Sequence, residues 1–239
     1  MKIKINAEHI LLINDLIPHS GIFNMEFDNW MYLLSKEQDI NPVFRVYEWE
    51  RSVITYGKFQ KLDEFNLELC KKDGVEVVKR PTGGRAILHN NEITFSLALK
   101  SSHIKPYSFR AIFVFIAENI ASALSALGIS AKINLAPTHY ESSASCFNSL
   151  SQYEIVDKYN NKLAGIAQYF TAKAALIQGS IPLQDNSGIK KYLIKDVKIE
   201  RFENELILSG CRKSELRKVI ISNFSVPLRS IFGDGAILY

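Results

Sequence analysis

Two clusters of residues in this sequence have the types and spacing of a site that handles an acyl group. The first is the segment 80–89, RPTGGRAILH, with adjacent glycines at Gly83 and Gly84. The second contains Cys146 and, further along the chain, Lys162. A thiolate attacks a carbonyl carbon, and a nearby cation or base activates the thiol. Cys146 is therefore a candidate nucleophile, and Lys162 is a candidate for the cation or base beside it.

Both reactive residues also have a purely structural interpretation. A free cysteine is most often a small buried hydrophobic residue. Lys162 follows a turn at Asn160-Asn161, where a solvent-exposed lysine is common. If Lys162 instead points into a cleft, it is placed to deprotonate an incoming amine. Spacing alone does not decide between these interpretations.

The adjacent glycines indicate a tight turn or a close approach of the backbone to a ligand. Exposed N–H groups at such a turn can bind a carbonyl oxygen or a phosphate. A hairpin turn with Arg80 and Arg85 on the surface is the alternative. The segment has neither the Gly-x4-Gly-Lys-Ser/Thr order of a phosphate-binding loop nor a GxGxxG dinucleotide fingerprint. His89 is either an acid or base of the site or a core histidine satisfied by backbone groups.

Composition excludes several classes of protein. The chain has 239 residues, of which 47% are hydrophobic and 23% charged, as in an ordinary globular domain. Its net charge of +4 is not concentrated in the basic blocks of a nucleic-acid-binding tail. It has no apolar run of membrane-spanning length and no signal-peptide pattern. The three widely spaced cysteines fit a reducing compartment and lack zinc-ligand spacing. We therefore expect a cytoplasmic protein with no metal site and no nucleic-acid or membrane partner.

The elements that must position the two clusters follow from hydrophobic periodicity. We predict helices at 23–34, with Asn24 as a cap, and at 62–72, 107–127, 190–193 and 213–221, with 107–127 the longest. We predict strands at 10–17, 43–49, 53–57, 75–78, 86–89, 93–99, 155–156 and 174–183. Strand 43–49 is expected to pair with 53–57, and 86–89 with 93–99. These elements predict an α+β domain with a mixed, largely antiparallel sheet packed against helices.

The same residues resemble a known family. The segment 80–89, followed by NEITFS at 91–96, looks like the signature of the lipoate/biotin protein ligase superfamily in its lipoate branch. The segment 162–168, KLAGIAQ, is similar to the family's lysine motif, and Gly179-Ser180-Ile181 matches the strand that follows it. The resemblance implies a biotin/lipoate protein ligase catalytic domain over residues 1–185. Residues 186–239 would then be a C-terminal helical extension packed on that domain.

The position of Cys146 shortly before Tyr153-Glu154 is similar to that of the cysteine-dependent octanoyltransferases. Those enzymes take an octanoyl group from acyl carrier protein, hold it as a thioester on the cysteine, and pass it to a lysine of a lipoyl domain. For this chain the resemblance implies transfer of an octanoyl or lipoyl group in the same way. The resemblance implies that Cys146 and Lys162 are catalytic. It also implies that the acyl group and substrate are bound by Arg80, Thr82, Gly83, Gly84, Arg85, His89, Gly165 and Ala167. The implied acceptors are lipoyl-domain proteins, namely the glycine-cleavage H protein and 2-oxoacid dehydrogenase subunits, and the transfer requires no cofactor.

Three other functions stay open. They are an ATP-dependent lipoate-protein ligase, which would need ATP and Mg, a protein-to-protein lipoyl or octanoyl amidotransferase, and a non-catalytic lipoyl-domain binder. The sequence departs from the usual family residues at three positions: Lys79 replaces an arginine, Ile166 a serine and Gln178 a histidine. An arginine that the family commonly has soon after Gln168 is also missing.

Overall fold

The structure is a computed structural model that describes residues 4–5, 10–134, 154–195 and 203–232, with side chains described within 10–134, 154–195 and 203–224. The α-helices are α1 (Gly21–Glu37), α2 (Leu67–Lys72), α3 (Phe109–Ser125), α4 (Glu205–Leu208) and α5 (Lys213–Phe232). The first strands are β1 (Lys4–Ile5), β2 (Leu11–Asn14), β3 (Val43–Tyr47), β4 (Val53–Tyr56), β5 (Glu76–Lys79) and β6 (Ile87–His89). The remaining strands are β7 (Glu92–Lys100), β8 (Ile104–Lys105), β9 (Lys132–Ile133), β10 (Ile155–Val156), β11 (Lys162–Phe170) and β12 (Ala174–Pro182).

In the described part of the chain, the largest sheet has seven strands in the order β2-β3-β7-β12-β11-β10-β9. Only β2 and β3 run parallel within it, and its other neighbouring strands are antiparallel. The long strands β7, β12 and β11 lie side by side at its centre. The prediction of a mixed, largely antiparallel sheet packed against helices is therefore confirmed.

Both predicted strand pairs are wrong, although the strands themselves exist. β3 pairs with β2 and β7, whereas β4 lies in a separate sheet of order β5-β4-β6. β6 pairs with β4, and β7 pairs with β3 and β12. Between β6 and β7 the chain changes sheets, and the side chains of His89 and Glu92 meet across the gap at 2.8 Å. Alternation identifies a strand, but its partner is set by contacts distant in sequence.

The two faces of the large sheet carry different helices. Phe95 and Leu97 of β7 belong to a large apolar core with residues of α3 and α5. Ala98, which points to the other face, packs with Met31 and Tyr32 of α1. On this α1 face, Ser96 of β7 contributes a polar side chain that bonds to α1. Ser96 is thus buried against α1, and the other polar positions of β7, Glu92 and Thr94, are buried on the same face beside the site described below.

The N-terminus of α1 is capped differently from the prediction. Ser20 is the N-cap and accepts a hydrogen bond from the Phe23 N–H. The Glu76 carboxylate of β5 accepts bonds from the N–H groups of Gly21 (2.7 Å) and Ile22 (3.0 Å). A carboxylate suits the positive end of the helix dipole. Asn24 instead lies buried within the helix, so its predicted role as a cap is wrong.

The C-terminal residues also differ from the predicted short helices. A 3-10 helix spans Ser187–Tyr192, and α5 runs from Lys213 to Phe232, so α5 is longer than α3 among the described helices. Arg217 of α5 binds Glu48 at 2.9 Å and so fastens this helix beside the end of β3. The domain boundary at residue 185 stays a prediction. Among the described helices, none combines the length and apolarity needed to cross a membrane.

Candidate active site

The segment 80–85, called here the diglycine loop, connects β5 to β6, and Arg80 holds its shape. The Arg80 side chain is buried and donates hydrogen bonds to the carbonyl oxygens of Thr55 (3.0 Å), Gly83 (2.7 Å) and Arg85 (2.7 Å). A guanidinium presents its donors in a rigid fork, so these bonds fix the loop backbone. The Arg80 side chain therefore lies inside the protein, where it fixes the loop, and not on the surface.

A second loop, residues 57–60, packs against the diglycine loop with no space for a side chain at Gly57. The Lys58 N–H donates to the Thr82 carbonyl oxygen at 2.9 Å. A Cβ atom at Gly57 would lie only 1.9 Å from the Gly84 carbonyl oxygen. Gly84 has φ +88°, a left-handed conformation that residues with a Cβ rarely adopt. The geometry of the two loops therefore requires glycine at both positions.

A pocket opens between the diglycine loop, β7 and the paired strands β11 and β12. Its empty space, counted out to the mouth, is about 370 Å³. Its apolar lining includes Met25, Trp49, Ile87, Ile166 and Ala167. Its polar lining includes Thr55, Arg80, His89, Thr94, Gln178 and Ser180.

Glu92 joins several of these polar side chains. Its buried carboxylate accepts hydrogen bonds from Thr94 Oγ1 (2.5 Å) and Ser180 Oγ (2.8 Å), and it contacts His89 Nδ1 at 2.8 Å. Burial raises the pKa of Glu92, but the charge and hydrogen bond of His89 and the two hydroxyl bonds lower that pKa overall. An ionised carboxylate only accepts hydrogen bonds, so His89 Nδ1 carries a proton. His89 Nε2 faces Thr55 Oγ1 at 2.7 Å.

Trp49 completes this wall of the pocket. Its indole N–H donates to Thr94 Oγ1 at 2.7 Å, and its ring stacks on His89 with 4.3 Å between centroids. Both ring nitrogens of His89 therefore contact side chains, not the backbone groups of a simple core histidine. Because these polar groups bond one another, the surface left to a ligand here is largely hydrocarbon.

A second chain of hydrogen bonds ties the diglycine loop to α1. Thr82 Oγ1 donates to Gln178 Oε1 at 2.7 Å, and Gln178 Nε2 donates to Asp28 Oδ2 at 2.7 Å. Asp28 also accepts from Tyr47 and Ser96, and all of these side chains are buried. Gln178 therefore supplies both an acceptor and a donor, which fixes its amide orientation between the loop and the helix.

Lys162 begins β11, three positions before Gly165 in the pocket wall. Its side chain is 1% exposed, and its Nζ lies 2.6 Å from Glu154 Oε1. The contact is a charge-assisted hydrogen bond of an ammonium with a carboxylate. Asn204 Nδ2 also donates to the Lys162 carbonyl oxygen at 2.9 Å. The interpretation of Lys162 as a solvent-exposed lysine at a turn is wrong, because its side chain is buried against Glu154.

The structure brings together only part of the predicted site. Arg80, His89, Gly165 and Ala167 line the pocket, and Thr82 reaches it through Gln178. The described lining does not include Gly83, Gly84, Arg85 or Lys162, which lie in the adjoining loop and strand. Cys146 lies outside the described residues. Cys70 is buried on α2, and Cys211 is half-buried before α5. Among the described residues, no group of three or more His, Cys, Asp or Glu side chains could hold a metal.

Sequence reasoning did not assign a role to Trp49, Gln178 or the polar residues of β7. The alternation of Glu92, Thr94 and Ser96 with Ile93, Phe95 and Leu97 was available as a signal. It fits a strand with one solvent face, yet both faces of β7 are buried. A run of polar residues at every second position of a central strand therefore marked the wall of the site.

The fold and the pocket together define an α+β catalytic domain with an apolar, loop-bordered binding site. Residues 20–210 match the family model described as the lipoyl protein ligase A/B catalytic domain, and the chain belongs to this family. The octanoyltransferase LipM of Oceanobacillus iheyensis is 33% identical over 171 residues, which are 71% of this chain and 62% of that relative. The LipM of Geobacillus kaustophilus is 31% identical over 210 residues, which are 84% of this chain and 73% of the relative. The match thus spans less than two thirds of the first relative.

Solved structures show the same fold. Lipoate-protein ligase A bound with ATP has a TM-score of 0.73 at 20% identity, with 98% of this chain and 90% of that chain covered. A bipartite lipoate protein ligase from Thermoplasma acidophilum, described with its E2 lipoyl domain, has a TM-score of 0.71 at 20% identity, with 98% and 88% covered. The predicted ligase-type catalytic fold is therefore confirmed.

Proposed function

We propose that this protein transfers an octanoyl or lipoyl group from acyl carrier protein to a lysine of a lipoyl domain, through a thioester on Cys146. The observation that carries the proposal is the pocket whose polar groups bond one another and leave apolar walls. A saturated acyl chain is stabilised by roughly 0.8 kcal/mol for each CH₂ group that it buries. The octanoyltransferase names of the relatives support the same activity.

The proposed reaction has two steps at the acyl carbonyl carbon. The Cys146 thiolate attacks the carrier thioester. A new C–S bond to Cys146 forms, the C–S bond to the carrier breaks, and the thiol group of the carrier leaves as a thiolate that takes up a proton. The uncharged amine of the acceptor lysine then attacks the enzyme thioester. An amide bond forms, the nitrogen loses a proton, and Cys146 leaves as a thiolate. Each step passes through a tetrahedral intermediate with a negative oxygen.

In this proposal, the groups around the pocket have distinct tasks. Lys162 and the N–H groups of Gly83 and Gly84 lie beside the pocket and outside its described lining, and in the proposed reaction they stabilise the negative oxygen when the substrate is bound. Arg80 and Thr82 hold the diglycine loop in its conformation, and Arg85 is the last residue of that loop. Gly165 and Ala167 are small residues in the pocket wall and leave space beside the acyl chain. His89 contributes to the fixed wall. The reaction needs no cofactor, because the carrier thioester is already activated. A reducing cytoplasm would keep the Cys146 thiol from forming a disulfide.

The test is mass spectrometry of the intact protein after incubation with octanoyl-carrier protein and no acceptor. We expect one octanoyl adduct, located on Cys146 by peptide mapping and absent from Cys146→Ser. Cys211→Ser is the matched control and should acquire the adduct normally. Addition of a lipoyl domain should then move the octanoyl group to its lysine. Active wild-type protein with no adduct would refute the thioester route.

The second candidate is an ATP-dependent lipoate-protein ligase, which the ATP-bound fold neighbour supports. It would use ATP and Mg to form an acyl-adenylate near Lys162. It predicts that lipoate transfer requires ATP and survives Cys146→Ala. The acceptors are lipoyl-domain proteins in either case, and the fold neighbour described with its E2 lipoyl domain supports that class. We include the glycine-cleavage H protein and 2-oxoacid dehydrogenase subunits among them.

Gly57→Ala should lower the rate of acyl transfer by about 100-fold, because displacement of catalytic groups by roughly 1 Å has an effect of this size. The new Cβ would lie 1.9 Å from the Gly84 carbonyl oxygen and push the diglycine loop away. The steady-state rate checks the prediction. Gly188→Ala is the matched control, since its Cβ would lie 3.6 Å from Leu88, an ordinary contact. Equal rates for the two variants would show that the loop position does not matter.

A further inference from the structure

A broad groove runs along α1 and meets the pocket. We call it the α1 groove, and its sides are α1, the end of β5 with Pro81, and the loop at Lys58 and Phe59. Met25 and Arg80 line both the groove and the pocket, so the two spaces adjoin at these side chains. The groove is much larger than the pocket, with about 1,560 Å³ of empty space counted out to solvent. The groove therefore offers an open surface directly beside the pocket.

Three lysines, Lys36, Lys58 and Lys79, line the α1 groove, and Glu26 is the acidic residue in its described lining. Lys79 is exposed, and the other two lysines are half-buried. Lys58 Nζ lies 3.7 Å from the centroid of the Tyr169 ring. A hydrogen bond from Lys58, followed by the charges of Lys58 and Lys36, lowers the pKa of the Tyr169 hydroxyl. The positive charges of Lys58 and Lys36 therefore act on the same part of the groove, next to Tyr169.

Apolar side chains accompany these charges. Ile22 and Leu33 of α1 are 56% and 39% exposed, and Phe59 on the opposite side is 86% exposed. Exposed apolar groups surrounded by charged side chains are typical of protein interaction sites. Positive charge beside them favours an acidic partner and speeds its association.

We propose that the α1 groove binds an acidic carrier domain that presents its acyl group on a phosphate-linked arm. The lysines contact the acidic surface and the phosphate, and the arm passes between Met25 and Arg80 into the pocket. The same lysines disfavour the approach of an ammonium group, so the acceptor lysine enters from another side. This inference rests on the proposed function and specifies its donor site.

The test compares two thioester donors in the acylation of the enzyme without acceptor. Octanoyl-carrier protein has the acidic domain and the phosphate, whereas octanoyl-pantetheine lacks both and is uncharged. Lys36→Glu should lower kcat/KM for the carrier donor by about tenfold or more, and Lys36→Gln by less. Both variants should stay within about twofold of wild type with octanoyl-pantetheine. Added salt should weaken the wild-type reaction with the carrier more than that of Lys36→Glu.

Lys218→Glu is the matched control, because Lys218 is an exposed lysine on α5, on the opposite face of the sheet. It should leave both reactions unchanged. Equal losses with the two donors, or no loss with the carrier, would overturn the groove assignment. In a separate assay of the complete transfer with a lipoyl domain added, an effect of Lys36→Glu confined to the KM of that acceptor domain would also overturn it. A titration of carrier binding separates this inference from the reaction. If wild type forms no adduct but binds the carrier, and Lys36→Glu weakens that binding, the proposed function fails and the groove assignment holds.

Discussion

Replacement of Lys162 by methionine should lower acyl transfer to a lipoyl-domain lysine by about 10²–10⁴-fold, the usual effect of removing a positioned acid, base or charge. Lys162 lies at the start of β11, and its ammonium is buried 2.6 Å from the Glu154 carboxylate. Methionine retains most of the volume and removes the charge. Single-turnover rates for loading of the enzyme and for transfer to the acceptor would show which step depends on that charge.

Loss of activity alone would not prove a chemical role, because Glu154 would lose its partner in a buried site. Removal of one member of a buried ion pair typically destabilises a protein by about 3–5 kcal/mol. The double variant Lys162→Met/Glu154→Gln removes both charges and should recover most of that stability. It should nevertheless remain inactive. If the double variant regains transfer along with stability, Lys162 is a structural residue only.

The sequence allowed the type of fold and several of the pocket residues to be predicted, but not the strand pairing. Local alternation identified β3, β4, β6 and β7. The partners of these strands depend on contacts that no short segment contains. The buried ion pair of Lys162 with Glu154 was missed for the same reason, since an Asn-Asn turn normally predicts an exposed lysine. The motif resemblance named Arg80, His89, Gly165 and Ala167, and all four line the pocket, because a family motif reflects spatial proximity that periodicity does not contain. Their roles in binding stay a prediction.

The departures from the usual family residues have physical counterparts in the site. Ile166 places hydrocarbon in the pocket wall where the family commonly has a hydroxyl. Gln178 replaces a histidine and uses both ends of its amide, one on Thr82 and one on Asp28. A neutral histidine also has one acceptor and one donor. The substitution at position 178 therefore preserves the hydrogen-bonding capacity needed between the diglycine loop and α1.

Arg45→Met should lower the free energy of unfolding by about 3–5 kcal/mol, the usual effect of removing one member of a buried ion pair. Arg45 is fully buried, and its guanidinium lies 3.3 Å from Asp28 and 2.7 Å from Asp15. It also lies over the rings of Tyr47 and Phe27. The variant leaves Asp28 buried without its cation. Urea denaturation measures the loss, and Arg51→Ala, which breaks an exposed ion pair with Glu50, should change stability by less than about 1 kcal/mol.

The loss caused by Arg45→Met should depend on pH in a definite direction. Burial raises the pKa of Asp28 above its ordinary value even though Arg45 opposes this shift, so folding is favoured when Asp28 is protonated. Without Arg45 the pKa of Asp28 rises further, and the variant loses more stability as the pH increases through that pKa. Burial also acts to raise the pKa of Asp15, but the hydrogen bond and charge of Arg45 lower that pKa overall. Ionised Asp15 therefore stabilises the folded protein at pH values above its ordinary pKa, and the variant loses the part of this stability that Arg45 provides. The deficit should therefore be smaller at about pH 4 than at about pH 7. A deficit that is equal at both values would mean that loss of packing, and not loss of charge, destabilises the variant.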